Sequence, residues 1–128
     1  YIEKSLKENE NLIVLGDFNI APEDRDVYDP EAWKDKVLCS KQERGALEKL
    51  VDLGLVDSFR LFKQQDASYS WWDYRAAAYR RKMGLRIDLI LLSTPVAERC
   101  TSSTIDESPR GWEKPSDHTP VVVEIDID

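Results

Sequence analysis

The sequence is poor in the residues that usually announce a covalent or metal scaffold. Among 128 residues there are one histidine, one methionine and two cysteines. Cys39 and Cys100 have no Cys-x-x-Cys spacing, which argues against a disulfide framework and against a zinc site. No apolar run approaches the ~20 residues needed to cross a bilayer, and no signal peptide opens the chain. No membrane partner is expected, and the reducing cytoplasm is the expected compartment. Repeats, low-complexity tracts and flexible linkers are also missing, so residues 1–128 read as a single domain. What is present is an ordinary globular mixture, 41% hydrophobic and 34% charged. Acidic residues outnumber basic ones 25 to 18, a net −7, which describes the whole surface and leaves any one edge undecided.

The first residues, Tyr1 to Leu6, place Ile2 and Leu6 at helical spacing with no Met and no capping residue ahead of them. They read as the inside of a helix, so the sequence is expected to begin partway through a larger protein. The apolar run Leu12-Ile13-Val14-Leu15, closed by Gly16-Asp17, suits a buried central strand. Residues 20–39 carry Pro22, Pro30 and several aspartates and are expected to be a long ordered loop. A helix should start at Ser40, with Glu43 completing a capping box, with Leu47, Leu50 and Val51 as its stripe and Gly54 at its end. Strand-like runs follow at 56–59, 69–74, 86–92, 99–105 and 119–127, the last with Val121, Val123, Ile125 and Ile127 on one face. The class is α/β, strand-rich in its second half.

Four segments could carry chemistry. Gly16-Asp17-Phe18-Asn19 sits where a strand emerges, and in α/β sheets ligands bind at such carboxyl ends. If the backbone stays extended, Asp17 and Asn19 project to the same side. There they could hold a cation, water or phosphate, although Asp and Asn also serve simply as turn residues. Ser116-Asp117-His118 leads into the last strand. The sole imidazole can move a proton or stabilise an oxyanion, or it can be a satisfied turn residue. Asp88 lies among apolar neighbours and needs a partner, either Arg86 two residues away or His118. Trp71 and Trp72 alternate faces, so at most one is core and the other could stack on a sugar or base. Residues 75–86 hold Arg75, Arg80, Arg81, Lys82 and Arg86 with no acid, a candidate phosphate-binding edge or a solvated loop.

Gly16-Asp17-Phe18-Asn19-Ile20-Ala21-Pro22, Trp71-Trp72-Asp73-Tyr74-Arg75, Gly84-Leu85-Arg86-Ile87-Asp88-Leu89 and Lys114-Pro115-Ser116-Asp117-His118 occur in that order. Together they resemble the second half of the exonuclease III type of DNA-repair nucleases, within the endonuclease/exonuclease/phosphatase superfamily of metal-dependent phosphodiesterases. The resemblance covers essentially the whole chain. It implies one half of that superfamily's α/β sandwich, a mixed, mostly antiparallel sheet with flanking helices. It also implies incision 5′ to abasic sites and 3′–5′ exonuclease action on duplex DNA.

By the same resemblance, Asp17 positions or activates the attacking water, Asn19 orients it and contacts the phosphate, and Asp88 orients His118. Asp17, Asn19, Asp117 and His118 would surround Mg²⁺, with Mn²⁺ as the alternative. Trp71 would line a pocket for a baseless deoxyribose, flanked by Leu85 and Ile87, with Arg75 and Arg86 turned to the DNA backbone. The first half of such an enzyme, with a metal-binding Glu, is not in the sequence. The expected partners are therefore duplex DNA and that missing half. An exposed apolar sheet face, prone to self-association, is expected where the half would dock. The rival readings are a non-catalytic DNA- or partner-binding fragment and a lipid or inositol phosphatase.

Overall fold

Short strands closed by Gly, Asp and Ser dominate the chain beyond residue 54, and the architecture follows them. The computed structural model describes residues 2–34, 36, 38–64, 68–72, 83–107 and 117–126. In chain order these form α1 (Ile2–Glu8), β1 (Ile13–Asp17), a 3₁₀ turn (Asp24–Asp26), α2 (Pro30–Trp33) and α3 (Lys41–Asp52). Next come β2 (Leu55–Asp57), a second 3₁₀ turn (Ser58–Leu61), β3 (Trp71–Trp72), β4 (Gly84–Leu85) and β5 (Asp88–Ser93). The helix α4 (Thr94–Ala97) and the strands β6 (Cys100–Ile105) and β7 (Val121–Ile125) complete it. No described helix is long and apolar enough to cross a membrane.

Local chemistry accounts for most boundaries. Ser40 Oγ accepts the Glu43 amide at 3.1 Å and donates to Glu43 Oε1 at 2.9 Å, so the expected cap forms. Gly54 takes φ +109°, a conformation open to glycine, and its N–H closes on Val51 O at 3.0 Å. Within the predicted loop 20–39, Asp29 Oδ1 accepts the Ala32 amide at 3.2 Å and Pro30 opens the one-turn α2. The strand expected at 56–59 stops at Asp57, because the Asp57 carboxylate accepts the Phe59 amide at 3.3 Å and turns the chain into 3₁₀ geometry.

Strand β5 is the spine. It pairs antiparallel with β1, from Ile13↔Leu92 to Asp17↔Asp88, and with β2, from Leu55↔Ser93 to Asp57↔Leu91. On one face Leu89 and Leu91 pack with Leu47 of α3 and Leu55. On the other, Ile90, Leu92 and Val96 meet Val121, Val123 and Ile125 of the β6–β7 hairpin. Burial of each such leucine or isoleucine is worth roughly 1.5–3 kcal/mol, so β5 is the best-anchored strand described. Two expectations need correction. Val51 is exposed, and the α3 stripe rests on Leu47 and Leu50. β1 is not central among the described strands. It pairs with β5 alone, and Ile13 and Leu15 stand 43% and 66% exposed because the cluster over Ile90 and Leu92 does not reach them.

Candidate active site

The site is built where β1 ends opposite the start of β5. Gly16 has φ +141°, a backbone that disfavours any side chain, and it delivers Asp17 directly across from Asp88. Past Asp17 the chain does not stay extended. Asn19 adopts φ +54°, and its amide donates to Asp17 Oδ1 at 2.9 Å. This turn replaces the extended arrangement expected for Asp17 and Asn19. The other carboxylate oxygen, Asp17 Oδ2, lies 3.6 Å from His118 Nε2.

His118 arrives from the segment before β7, and backbone bonds fix it there. Trp72 N donates to Asp117 O at 3.0 Å, and Thr119 N donates to Ser70 O at 2.8 Å. His118 Nδ1 sits 2.8 Å from Asp88 Oδ2, which settles the choice of partner for Asp88. Ser70 was not singled out in the sequence, yet it joins three segments. Its hydroxyl oxygen accepts the amides of Ile87 and Asp88, each at 3.1 Å, while its own N–H reaches Leu85 O at 3.0 Å. Ser70 is fully buried. A serine inside an aromatic run carries no sequence signal for such a role.

Electrostatics follow from this packing. Burial of Asp88 raises its carboxyl above the ordinary 3.8, against the hydrogen bonds from His118 and Ser70 that lower it. For His118, burial favours the neutral ring. The hydrogen bond and charge of Asp88, with the charges of Asp17 and Asp117, outweigh burial and lift the imidazole above 6.5. The ring is thus held as an imidazolium over a wider pH range than a free histidine, with Nε2 facing Asp17 and Asp117, whose Oδ1 is 3.9 Å away.

The aromatic wall stands beside this cluster. Trp72 is 2% exposed and belongs to the core, whereas Trp71 is half-buried. Trp71 Nε1 donates to Asp117 Oδ2 at 3.1 Å, and its ring packs on a cluster containing Leu85, Ile87, Ala21, Val27 and Cys39. Leu85 and Ile87 are buried beneath that wall rather than displayed on it. Gly84 is required by close approach, since a Cβ there would lie 2.6 Å from Tyr69 Cδ2 and 2.7 Å from Trp72 Cδ1. Arg75 and the rest of 73–82 lie outside the described residues.

Arg86 corrects the sequence reading. It is 1% exposed and turned into the interior, so its guanidinium is not presented at the surface. Its Nε donates to Asp26 Oδ1 at 2.7 Å, and Nη1 and Nη2 reach Asp57 at 3.1 and 2.5 Å. Arg60 also binds Asp26, and both guanidinium groups lie over the Phe59 ring. A guanidinium taken from water needs such pairing, and two aspartates supply it. Asp26 and Asp57 were missed because they lie 60 and 29 residues from Arg86 in sequence.

Among the described residues, Asp17, Asp88 and His118 form one group whose ligand atoms lie within 4.8 Å of one another. With Asp117 nearby, the donor set is mainly carboxylate oxygen, which suits a hard divalent cation that keeps several waters. The chemistry of the donors therefore fits Mg²⁺ or Mn²⁺. This grouping includes Asp88, which the sequence-derived ligand set omitted.

The pattern of the endonuclease/exonuclease/phosphatase family matches residues 1–118. Exodeoxyribonuclease III of Haemophilus influenzae is 39% identical over 97% of this chain and 49% of its own length. A Neisseria 3′ phosphatase, NExo, solved with a product DNA hairpin, superposes with a TM-score of 0.95 at 45% identity over 98% of this chain and 49% of that one. An AP endonuclease from Archaeoglobus fulgidus gives 0.87 at 36% identity, covering 98% of this chain and 51% of that one. The chain thus spans about half the length of these relatives, and it belongs to the endonuclease/exonuclease/phosphatase family.

Proposed function

We propose that this chain carries catalytic strands of a metal-dependent DNA-repair phosphodiesterase of the exonuclease III type. It would incise 5′ to abasic sites and shorten 3′ ends of duplex DNA. The observation that carries the reading is the His118 ring, bound to Asp88 through Nδ1 and facing Asp17 and Asp117 through Nε2. Phosphodiester hydrolysis needs an in-line water, a donor for the developing negative charge and a cation. Asp17 orients the water and takes its proton, with Asn19 beside it. His118 presents Nε2–H to a non-bridging phosphate oxygen, and Asp88 keeps the Nδ1 proton in place and supports the imidazolium. Asp17 and Asp117, with His118 adjacent, would hold Mg²⁺ or Mn²⁺, which when bound polarises the phosphate oxygen. Trp71 offers a flat apolar wall to a sugar lacking its base.

The half-exposed carboxylates alone give Mg²⁺ few ligands, so the chain by itself is expected to cleave poorly. The other half of its relatives' length, supplied in trans, should restore turnover. Ile13 and Leu15 offer the apolar edge for that docking, or for self-association. Four substrates separate the readings: a duplex with an abasic site, a recessed 3′ end, a 3′-phosphate duplex and a phosphoinositide. Cleavage of the DNA substrates that depends on Mg²⁺ or Mn²⁺ and is lost in Asp17→Ala supports the proposal. Turnover of the phosphoinositide alone favours a lipid phosphatase. DNA binding without cleavage in the reconstituted pair favours a binding fragment.

A further inference from the structure

The rear of Asp88 is as organised as its front. Asp88 and Ile90 share one face of β5, and with Arg86 just ahead of the strand they line a cavity of about 10 Å³ that Ser58, Ser103 and Phe59 close. That volume is close to the smallest that accepts a single water, and such a water requires two to four polar partners. The partners are present. Arg86 has five N–H donors, yet four hydrogen bonds account for it among the described residues, and Nη1 makes only one of them, to Asp57. Ser58 Oγ and Ser103 Oγ lie 3.3 Å apart, so one of the two hydroxyl protons serves that bond and the other remains for another acceptor. Asp88 contributes a carboxylate whose Oδ2 is engaged by His118 and which also receives a hydrogen bond from Ser70. Arg86, Ser58 and Ser103 are all buried.

We propose that this cavity holds one ordered water, accepting from Arg86 and from the serine pair and donating to Asp88, so that Arg86, Ser58 and Ser103 are positioning residues for the Asp88–His118 couple. Their catalytic meaning rests on the functional reading above, but the water bridge does not depend on it. The bridge would tie the buried ion network to the site and fix the carboxylate from the side opposite the imidazole, as outer hydrogen bonds do for other oriented histidines.

The test uses the whole chain. A crystal structure that orders internal waters should show one peak in this cavity within hydrogen-bond distance of Arg86, of a serine hydroxyl and of Asp88. Because His118 is the sole histidine, its Nδ1 proton gives one assignable NMR resonance. Ser103→Ala and Ser58→Ala should each move it downfield, because a carboxylate relieved of one donor draws harder on those that remain, His118 among them. A purely structural loss would loosen the couple and move the resonance upfield or broaden it. A dry cavity, or a resonance that stays put or moves upfield in both variants, overturns the inference. If the water and the downfield shift are found while no DNA substrate is cleaved by the reconstituted pair, the inference stands and the functional reading falls.

Discussion

Two charged clusters, one around Arg86 and one reaching Asp88 two residues later, both draw on aspartates and have opposite characters. Around Arg86, two aspartates and two arginines neutralise each other in the interior, with Asp26 and Arg86 at 0% and 1% exposure. Around His118, three aspartates face one imidazole that stays about one-third exposed, leaving negative charge in surplus. The first cluster is balanced in charge. The second needs a cation to balance it. Burial with matched charge makes structure, and partial exposure with unmatched charge makes a site.

The comparison is tested most severely by Arg86→Ala. It removes the guanidinium shared by Asp26 and Asp57, leaves Asp57 without its cation, and should destabilise the chain by about 3–5 kcal/mol in chemical denaturation. Gly84→Ala comes next, at roughly 1–3 kcal/mol, because the added methyl has to displace the rings of Tyr69 and Trp72. Near-ultraviolet circular dichroism should report the moved indole.

The third prediction concerns pH. The folded His118 binds its proton more tightly than the unfolded chain does, so its contribution to stability is complete below pH 6.5. That contribution is lost as pH rises through the raised folded value. Asp88 has the same sign in the acid range: its raised carboxyl favours folding below 3.8, and this is lost as pH climbs through its own folded value. Urea denaturation in metal-free buffer should therefore show stability falling as pH rises above 6.5, and His118→Asn should flatten that slope. The single imidazole should titrate above 6.5 by NMR. The smallest effect on stability is expected from Asp17→Asn, within about 0.5 kcal/mol, since the side chain is partly exposed and its partners remain solvated. Its metal affinity should nonetheless drop. Were Asp17→Asn to destabilise as much as Arg86→Ala, the division between the two clusters would fail.

The sequence displayed the second cluster better than the first. Asp17, Asp88, Asp117 and His118 each stand in a short, polar, turn-forming or strand-interrupting context that makes them visible, and the structure brings them together. Arg86 looked like the end of a basic surface run, because a charge pattern along the chain says nothing about acids that approach from 60 residues away. Asn19 was placed by assuming an extended backbone, and a left-handed turn closed by its neighbour's carboxylate intervened. For the fold, capping residues located α3 to within a residue, while β1 looked central because apolar composition cannot tell a strand covered on both faces from one left open.

Asp17 and Asp88 meet as directly opposed partners across β1 and β5. Adjacent side chains in a strand point to opposite faces, so inserting or deleting one residue within 13–17 or 88–92 would turn one of the two acids away from the other. Substitutions at Ile13 or Leu15 leave that opposition intact, whereas a frame error of one residue removes it without changing either acid. Length, more than composition, is what variation in these two segments has to preserve.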